Sequence, residues 1–151
     1  MYEPQSVEAP QGSFECNGNG ARFHELNNNA LWANHFSLVP PGATHLTFTW
    51  TLTAPHRAAT WEYFIGQTLL ASFNDDGHMP PSSVEHSVSL HGFTGRHTIL
   101  ARWNIYDTIN AFYSCVDLDI SSHLHNATVL VAGADADASA NVPLQQVLAI
   151  P

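Results

Sequence analysis

Basic residues are scarce in this chain, and lysine is absent altogether. The 151 residues contain 4 Lys and Arg in total, all arginine, against 13 Asp and Glu, which gives a formal net charge of −9. Such a chain has no electrostatic means of holding a nucleic-acid backbone or an anionic membrane surface. We therefore expect neither as a partner, whereas a neutral ligand such as an uncharged polysaccharide remains open.

Long apolar runs are also lacking. No segment approaches the roughly 20 apolar residues of a membrane-spanning helix, and the N-terminus carries no basic-then-apolar signal peptide. We expect a soluble chain that has been processed, truncated or exported by another route. The only cysteines, Cys16 and Cys115, can form one disulfide or stay free thiols, and the sequence leaves both readings open. A disulfide would favour an oxidising compartment.

The chain does contain strong strand patterns. In residues 45–54 apolar side chains alternate with threonines, and Val84–Leu90 alternates in the same way. Further strands are predicted at residues 31–38, Trp61–Ile65, His97–Ile105 and Ala111–Ile120, and residues 1–30 are predicted to be loop with a helical turn near Phe23–Leu26. No amphipathic helix of useful length is visible, so many short strands in one domain predict a β-sandwich. Four tryptophans are expected in its core: Trp32, Trp50, Trp61 and Trp103.

Four segments together resemble bacterial lytic polysaccharide monooxygenases, the chitin-binding type-4 family. They are Tyr2–Glu8 (YEPQSVE), Thr47–His56 (TFTWTLTAPH), Trp61–Ile65 (WEYFI) and Gly95–Tyr113 (GRHTILARWNIYDTINAFY). The resemblance implies an all-β, immunoglobulin- or fibronectin-III-like sandwich with long loops. It also implies a secreted copper protein that binds and oxidises crystalline chitin or cellulose. It covers residues 1–120, and residues 121–151 are predicted to be a C-terminal extension.

The resemblance also implies a copper site, in which a terminal histidine and one internal histidine form a brace. His56 matches the internal ligand, Ala54 the small residue that limits access to the metal, and Phe112 the aromatic packed on the axial side. Glu8 matches a residue that positions the oxygen species. Neutral imidazoles suit copper. Taken alone, His56 is an ordinary exposed turn histidine and Phe112 an ordinary core residue.

A second set of residues matches the flat face with which this family docks on polysaccharide. A tyrosine ring can stack on a sugar, while carboxylates and amides bond to hydroxyl and acetamide groups. Read alone, these residues are solvated loop charges and a polar turn between strands. The matching residues are Tyr2, Glu3, Glu8, Asp107, Thr108 and Asn110.

The chain departs from the family at its start, which reads Met1-Tyr2 where the family has a first strand headed by the brace histidine. We therefore expect an incomplete copper site. His123 and His125 could bind a metal, because their i, i+2 spacing puts both imidazoles on one side of an extended segment. The same spacing also arises by chance in a histidine-rich chain, and we favour that interpretation. Two apolar runs in the extension, Thr128–Val131 and Val142–Ile150, could fill an open sheet edge or pair with another chain.

Three functions follow from these observations. The first is chitin binding by a monooxygenase-like sandwich without a complete brace. The second is copper-dependent oxidative cleavage of chitin or cellulose, if the missing histidine is supplied elsewhere. The third is a protein-interaction module that uses the C-terminal tail.

Overall fold

The computed structural model describes residues 6–120 and a strand at 140–146. The strands are β1 Val7–Pro10, β2 Ser37–Val39, β3 His45–Leu52, β4 Ala58–Ile65, β5 Thr68–Asn74, β6 Ser83–Ser89, β7 Gly95–Ile105, β8 Asn110–Ile120 and β9 Ala140–Gln146; one turn of 3₁₀ helix lies at His24–Asn27. The larger sheet has the order β1-β8-β7-β4-β5, with β2 paired in parallel to β8, and the smaller sheet has the order β6-β3-β9. The predicted all-β sandwich is confirmed. Within these ranges, no helix has the length and apolar character that crossing a membrane requires.

The main core lies between the two sheets and is built on aromatic side chains. Alternation along β3 buries Leu46, Phe48 and Trp50 on one face, as the pattern predicted. Trp50 packs against Trp61 of the opposing sheet, with ring centroids 5.5 Å apart. Trp61 in turn stacks on Trp103 at 4.6 Å. The three tryptophans are fully buried, which confirms their predicted place in the core.

A second, smaller core lies on the outer face of the larger sheet. Val7, Ala9, Leu100 and Tyr113 are buried there. The segment between β1 and β2 is linked to this face by a disulfide between Cys16 and Cys115, whose Cα atoms are 5.6 Å apart. The sequence left open whether these cysteines form a disulfide or stay free thiols, and the structure shows the disulfide. Such a bond favours an oxidising compartment.

The structure corrects three predictions about the segments outside the strongest strands. Residues 31–38 are not one strand: turns occupy residues 29–34, and β2 begins only at Ser37. Two strands, β1 and β5, were not predicted. Trp32 is only half-buried, and its indole nitrogen donates to the carbonyl of Glu25 at 2.8 Å, so it is not a core residue.

The strand β9 lies parallel to β3 at the edge of the smaller sheet. Its register pairs Leu46 with Ala140 and Leu52 with Gln146. It overlaps the second apolar run predicted in the extension, whereas Thr128–Val131 lies outside the described residues. Pairing of the tail with another chain stays a prediction, as does the division of the chain at residue 120.

Candidate functional site

Strand pairing brings the His56 loop and the turn between β7 and β8 to one edge of the sandwich. Ala58, the first residue of β4, pairs with Ile105, the last residue of β7. The loop of residues 53–57 and the turn of residues 106–109 are therefore neighbours. A backbone bond of 2.8 Å from Tyr106 N to Arg57 O joins them directly. Ala54 lies in this loop and is half-buried.

His56 lies on an aromatic floor. Its half-buried ring is 5.5 Å from the ring of Phe112 and 6.0 Å from that of Trp103, measured between centroids. Phe112 and Trp103 pack against each other at 5.0 Å and are themselves buried. Because this floor is continuous with the main core, it fixes where the imidazole can lie. One face of the imidazole is thus packed, while part of the ring stays accessible.

Glu8, Asn110 and Phe112 share one face of the larger sheet. The register between β1 and β8 places Glu8 opposite Phe112. Directly opposed residues of antiparallel strands point to the same side, and so do residues two apart on one strand. Asn110 donates its amide Nδ2–H to Glu8 Oε1 at 3.1 Å, a contact between residues 102 positions apart. The Phe112 ring contacts His56, so this polar pair lies on the same edge as the imidazole.

Asp107 and Thr108 complete the turn. Both are exposed, and Thr108 Oγ accepts a hydrogen bond from the backbone N–H of Asn110 at 3.1 Å. The predicted site residues Glu8, Ala54, His56, Asp107, Thr108, Asn110 and Phe112 therefore all lie at this edge. Tyr2 and Glu3 lie outside the described residues, as do His123 and His125.

Gln11 is a residue of this edge that the sequence analysis did not single out. Its side-chain Nε2 donates to the carbonyls of Ile105 at 2.9 Å and Asn110 at 3.0 Å, with a longer contact of 3.4 Å to Thr108 O. Its own backbone N–H bonds to Ile109 O at 2.9 Å. A single glutamine thus holds both ends of the turn that carries the polar residues. No local pattern reveals such a role, because the bonded groups are far apart in sequence.

The described residues do not by themselves form a copper site. Among them, no group of three or more His, Cys, Asp and Glu side chains is arranged to hold a metal ion. Of the predicted site residues within the described ranges, only His56 carries an imidazole. A single imidazole cannot bind copper tightly. The prediction of an incomplete brace stays a prediction, because it concerns residues beyond the described ranges.

The comparison with protein families decides the identity of this sandwich. The family model described as lytic polysaccharide mono-oxygenase, cellulose-degrading, matches residues 1–118. The chain belongs to this family. Its members are copper enzymes and are typically secreted. The family predicted from the four sequence segments is therefore confirmed.

Proteins similar to this chain include relatives from two bacteria. A lytic chitin monooxygenase of Streptomyces ambofaciens is 45% identical over 120 residues, which are 79% of this chain and 67% of the relative. Another, from Enterococcus faecalis, is 32% identical and is matched over 71% of its length and 80% of this chain. A solved lytic polysaccharide monooxygenase of Jonesia denitrificans superposes with a TM-score of 0.71 at 45% identity, covering 80% of this chain and 81% of that one.

Proposed function

We propose that this protein binds chitin through the edge that carries His56, Glu8 and the turn Asp107–Asn110. One observation carries the proposal: predicted docking residues from two distant segments, Glu8 and the turn Asp107–Asn110, converge at the edge that carries His56 and include a direct Glu8–Asn110 bond. The relatives named as lytic chitin monooxygenases support chitin as the polymer. We propose secretion as well, which the disulfide favours.

The chemistry of this edge suits a neutral, hydroxyl-rich polymer. Asp107, Thr108 and Glu8 present oxygen acceptors to solvent, and Asn110 and Thr108 can also donate. Gln11 holds the turn to β1, so its polar groups are ordered before a ligand arrives. Pre-ordering lowers the entropic cost of binding. The net charge of −9 does not oppose the approach of an uncharged polysaccharide.

A sedimentation assay on insoluble chitin tests this proposal. The variant Asn110→Ala removes the amide that bonds to Glu8, and we expect about fivefold weaker binding, as for the loss of about one hydrogen bond. The matched control is Asn29→Ala, which removes an exposed asparagine from the turns at residues 29–34. Ala33 in these turns accepts a hydrogen bond from Arg96, at the opposite end of β7 from the proposed edge. Retention by the control and loss in Asn110→Ala support the proposal. Failure of the unaltered protein to bind chitin, or equal binding by all three, contradicts it.

Microcrystalline cellulose belongs in the same assay as a second polymer. The family model is described as cellulose-degrading, whereas the similar proteins above are named for chitin. Preference for chitin is the expected result. Tighter binding to cellulose would contradict chitin as the polymer. Whether this edge is the binding surface would still be tested by comparing Asn110→Ala with Asn29→Ala.

We propose oxidative cleavage of chitin or cellulose as the second candidate function. It is favoured by His56 packing on Phe112 with Ala54 in the same loop, the three residues expected around a copper ion. Copper bound in this family supplies the oxidising chemistry. His56 would be one ligand, and the others would come from outside the described residues.

Calorimetric titration with Cu(II) separates the two candidates. Tight one-to-one binding that is lost in His56→Ala and kept in His35→Ala, a control on an exposed histidine, supports the oxidative function. Weak binding that is equal in all three proteins contradicts it. Chitin binding by the same protein preparations is then measured independently of copper.

A further inference from the structure

We propose that Tyr106 and Arg57 form an additional sugar-binding contact beside His56, one that takes a pyranose ring of the bound polysaccharide. We call Tyr106, Arg57 and Gly77 the tyrosine ledge. The inference rests on the proposed chitin-binding function and extends its surface to the side of the turn that faces the His56 loop. None of these three residues was among the docking residues predicted from the sequence.

Tyr106 is an exposed aromatic residue in a fixed position. It follows directly after β7, and 51% of its surface is exposed to solvent. Its backbone N–H donates to Arg57 O at 2.8 Å, which ties it to the residue next to His56. It is also the residue before Asp107, so it is continuous with the polar turn of the proposed docking surface. A fixed, half-exposed ring at that place is typical of a carbohydrate-stacking residue.

Arg57 holds the tyrosine ring and has donors to spare. Its guanidinium carbon lies 4.6 Å from the centroid of the Tyr106 ring, a cation–π contact. Its Nε donates to the carbonyl of Gly77 at 2.7 Å. No carboxylate of the described residues lies within ion-pair distance of it, in contrast to Arg96 and Arg102. The terminal nitrogens of this exposed guanidinium are therefore suited to hydroxyl or acetamide oxygens of a sugar.

Gly77 makes the ledge possible by leaving room for the ring. A Cβ at this position would lie 2.9 Å from two carbons of the Tyr106 ring, and its φ of +78° also favours glycine. The loop that carries it is anchored to the start of β4. Gly77 N bonds to Ala58 O at 2.8 Å, and Ala58 N bonds to His78 O at 2.9 Å. Three segments of the chain thus fix one exposed ring.

A neutral sugar is the ligand class that matches this combination. The apolar face of a pyranose can lie on an aromatic ring, while its hydroxyl and acetamide groups require hydrogen-bond partners at the rim. The ledge supplies a ring and a cationic donor side by side, and the adjoining turn supplies acceptors. The ledge therefore extends the docking surface by one sugar-sized contact.

Binding isotherms on insoluble chitin test the ledge. Tyr106→Ala should weaken binding by about fivefold to tenfold, the loss of one aromatic stacking contact. Tyr106→Phe, which keeps the ring and removes the hydroxyl, should bind like the unaltered protein. Arg57→Ala should lose binding in the same direction as Tyr106→Ala, because it removes both the donors and the contact that steadies the ring.

Leu38→Ala is the matched control, since it removes an exposed apolar side chain from β2, which pairs with the opposite end of β8. Thermal unfolding of each variant establishes that it is folded. If the unaltered protein binds chitin and Tyr106→Ala binds equally well, the ledge is refuted while the proposed function stands. If the unaltered protein does not bind chitin at all, the proposed function itself has failed. A loss in Tyr106→Phe as large as in Tyr106→Ala would also contradict stacking.

Discussion

His86 should make the stability of this protein depend on pH in mildly acidic solution. Its side chain is buried in the core, with 8% of its surface exposed, and it stacks on Phe73 at 4.1 Å. Its Nδ1 accepts a hydrogen bond of 2.7 Å from the Tyr63 hydroxyl, which in turn accepts from the indole N–H of Trp50 at 3.1 Å. Burial lowers the pKa of His86 from 6.5 to about 4, opposed by the nearby carboxylate of Asp75. The native state therefore requires the neutral imidazole.

The sign of the effect follows from where the proton binds. Between pH 6.5 and about 4 the unfolded chain protonates this histidine and the native chain does not, so stability falls as the pH falls. The full shift corresponds to about 3 kcal/mol of unfolding free energy, and about 2 kcal/mol of it should be lost between pH 7 and pH 5. Carboxylates and the other histidines add their own dependence, so the contribution of His86 has to be isolated by comparison.

Urea unfolding followed by tryptophan fluorescence at pH 7 and pH 5 provides that comparison. His86→Gln cannot gain a proton in this range, so its unfolding free energy should change by about 2 kcal/mol less between the two pH values than that of the unaltered protein. His35→Gln, a substitution of an exposed histidine, should behave like the unaltered protein. Equal pH dependence in the unaltered protein and in His86→Gln would refute the reasoning.

Two further predictions concern the Cys16–Cys115 disulfide and Gln11. Replacing both Cys16 and Cys115 by alanine should lower the unfolding free energy by about 4.7 kcal/mol, because the disulfide closes a loop with a sequence separation of 99. Urea unfolding measures this loss, and a value under about 1 kcal/mol would contradict the prediction. Gln11→Ala should weaken chitin binding about fivefold and speed amide exchange in the turn after β7, because three carbonyls lose a shared donor. Gln67→Ala, in the turn between β4 and β5, is its control, and unchanged binding by Gln11→Ala would count against a positioning role.

Sequence reasoning predicted β3 and β6 from their alternating pattern but missed β1 and β5. β3 and β6 bury every second residue over most of their length, so the alternation of apolar and polar residues in the sequence predicts them as strands. β5 lies at a sheet edge beside an irregularity in the register at Tyr63 and Phe64, and its burial pattern does not alternate cleanly. β1 has only four residues and ends in Pro10. Short edge strands owe their form to a partner that a local pattern cannot reveal.

Some residues of the candidate site could likewise be predicted from the sequence and others could not. The positions of His56 and the turn Asp107–Asn110 were predicted from the resemblance of contiguous segments, and the structure places them at one edge. Gln11 and the tyrosine ledge depend on contacts between segments distant in sequence. Tyr106 gives no local signal that separates it from an ordinary turn residue. Trp32 was predicted to be a core residue like the other tryptophans, although no periodic pattern at its position indicates burial, and the structure leaves it half-buried.

Amide hydrogen exchange of the unaltered protein on chitin tests the central claim most directly, because it locates the binding face without any substitution. We predict that chitin slows exchange in residues 53–57 and 106–110, at the edge that carries His56, and leaves β2 at Ser37–Val39 unchanged. Slowed exchange at β2 with none at the His56 edge would contradict the account.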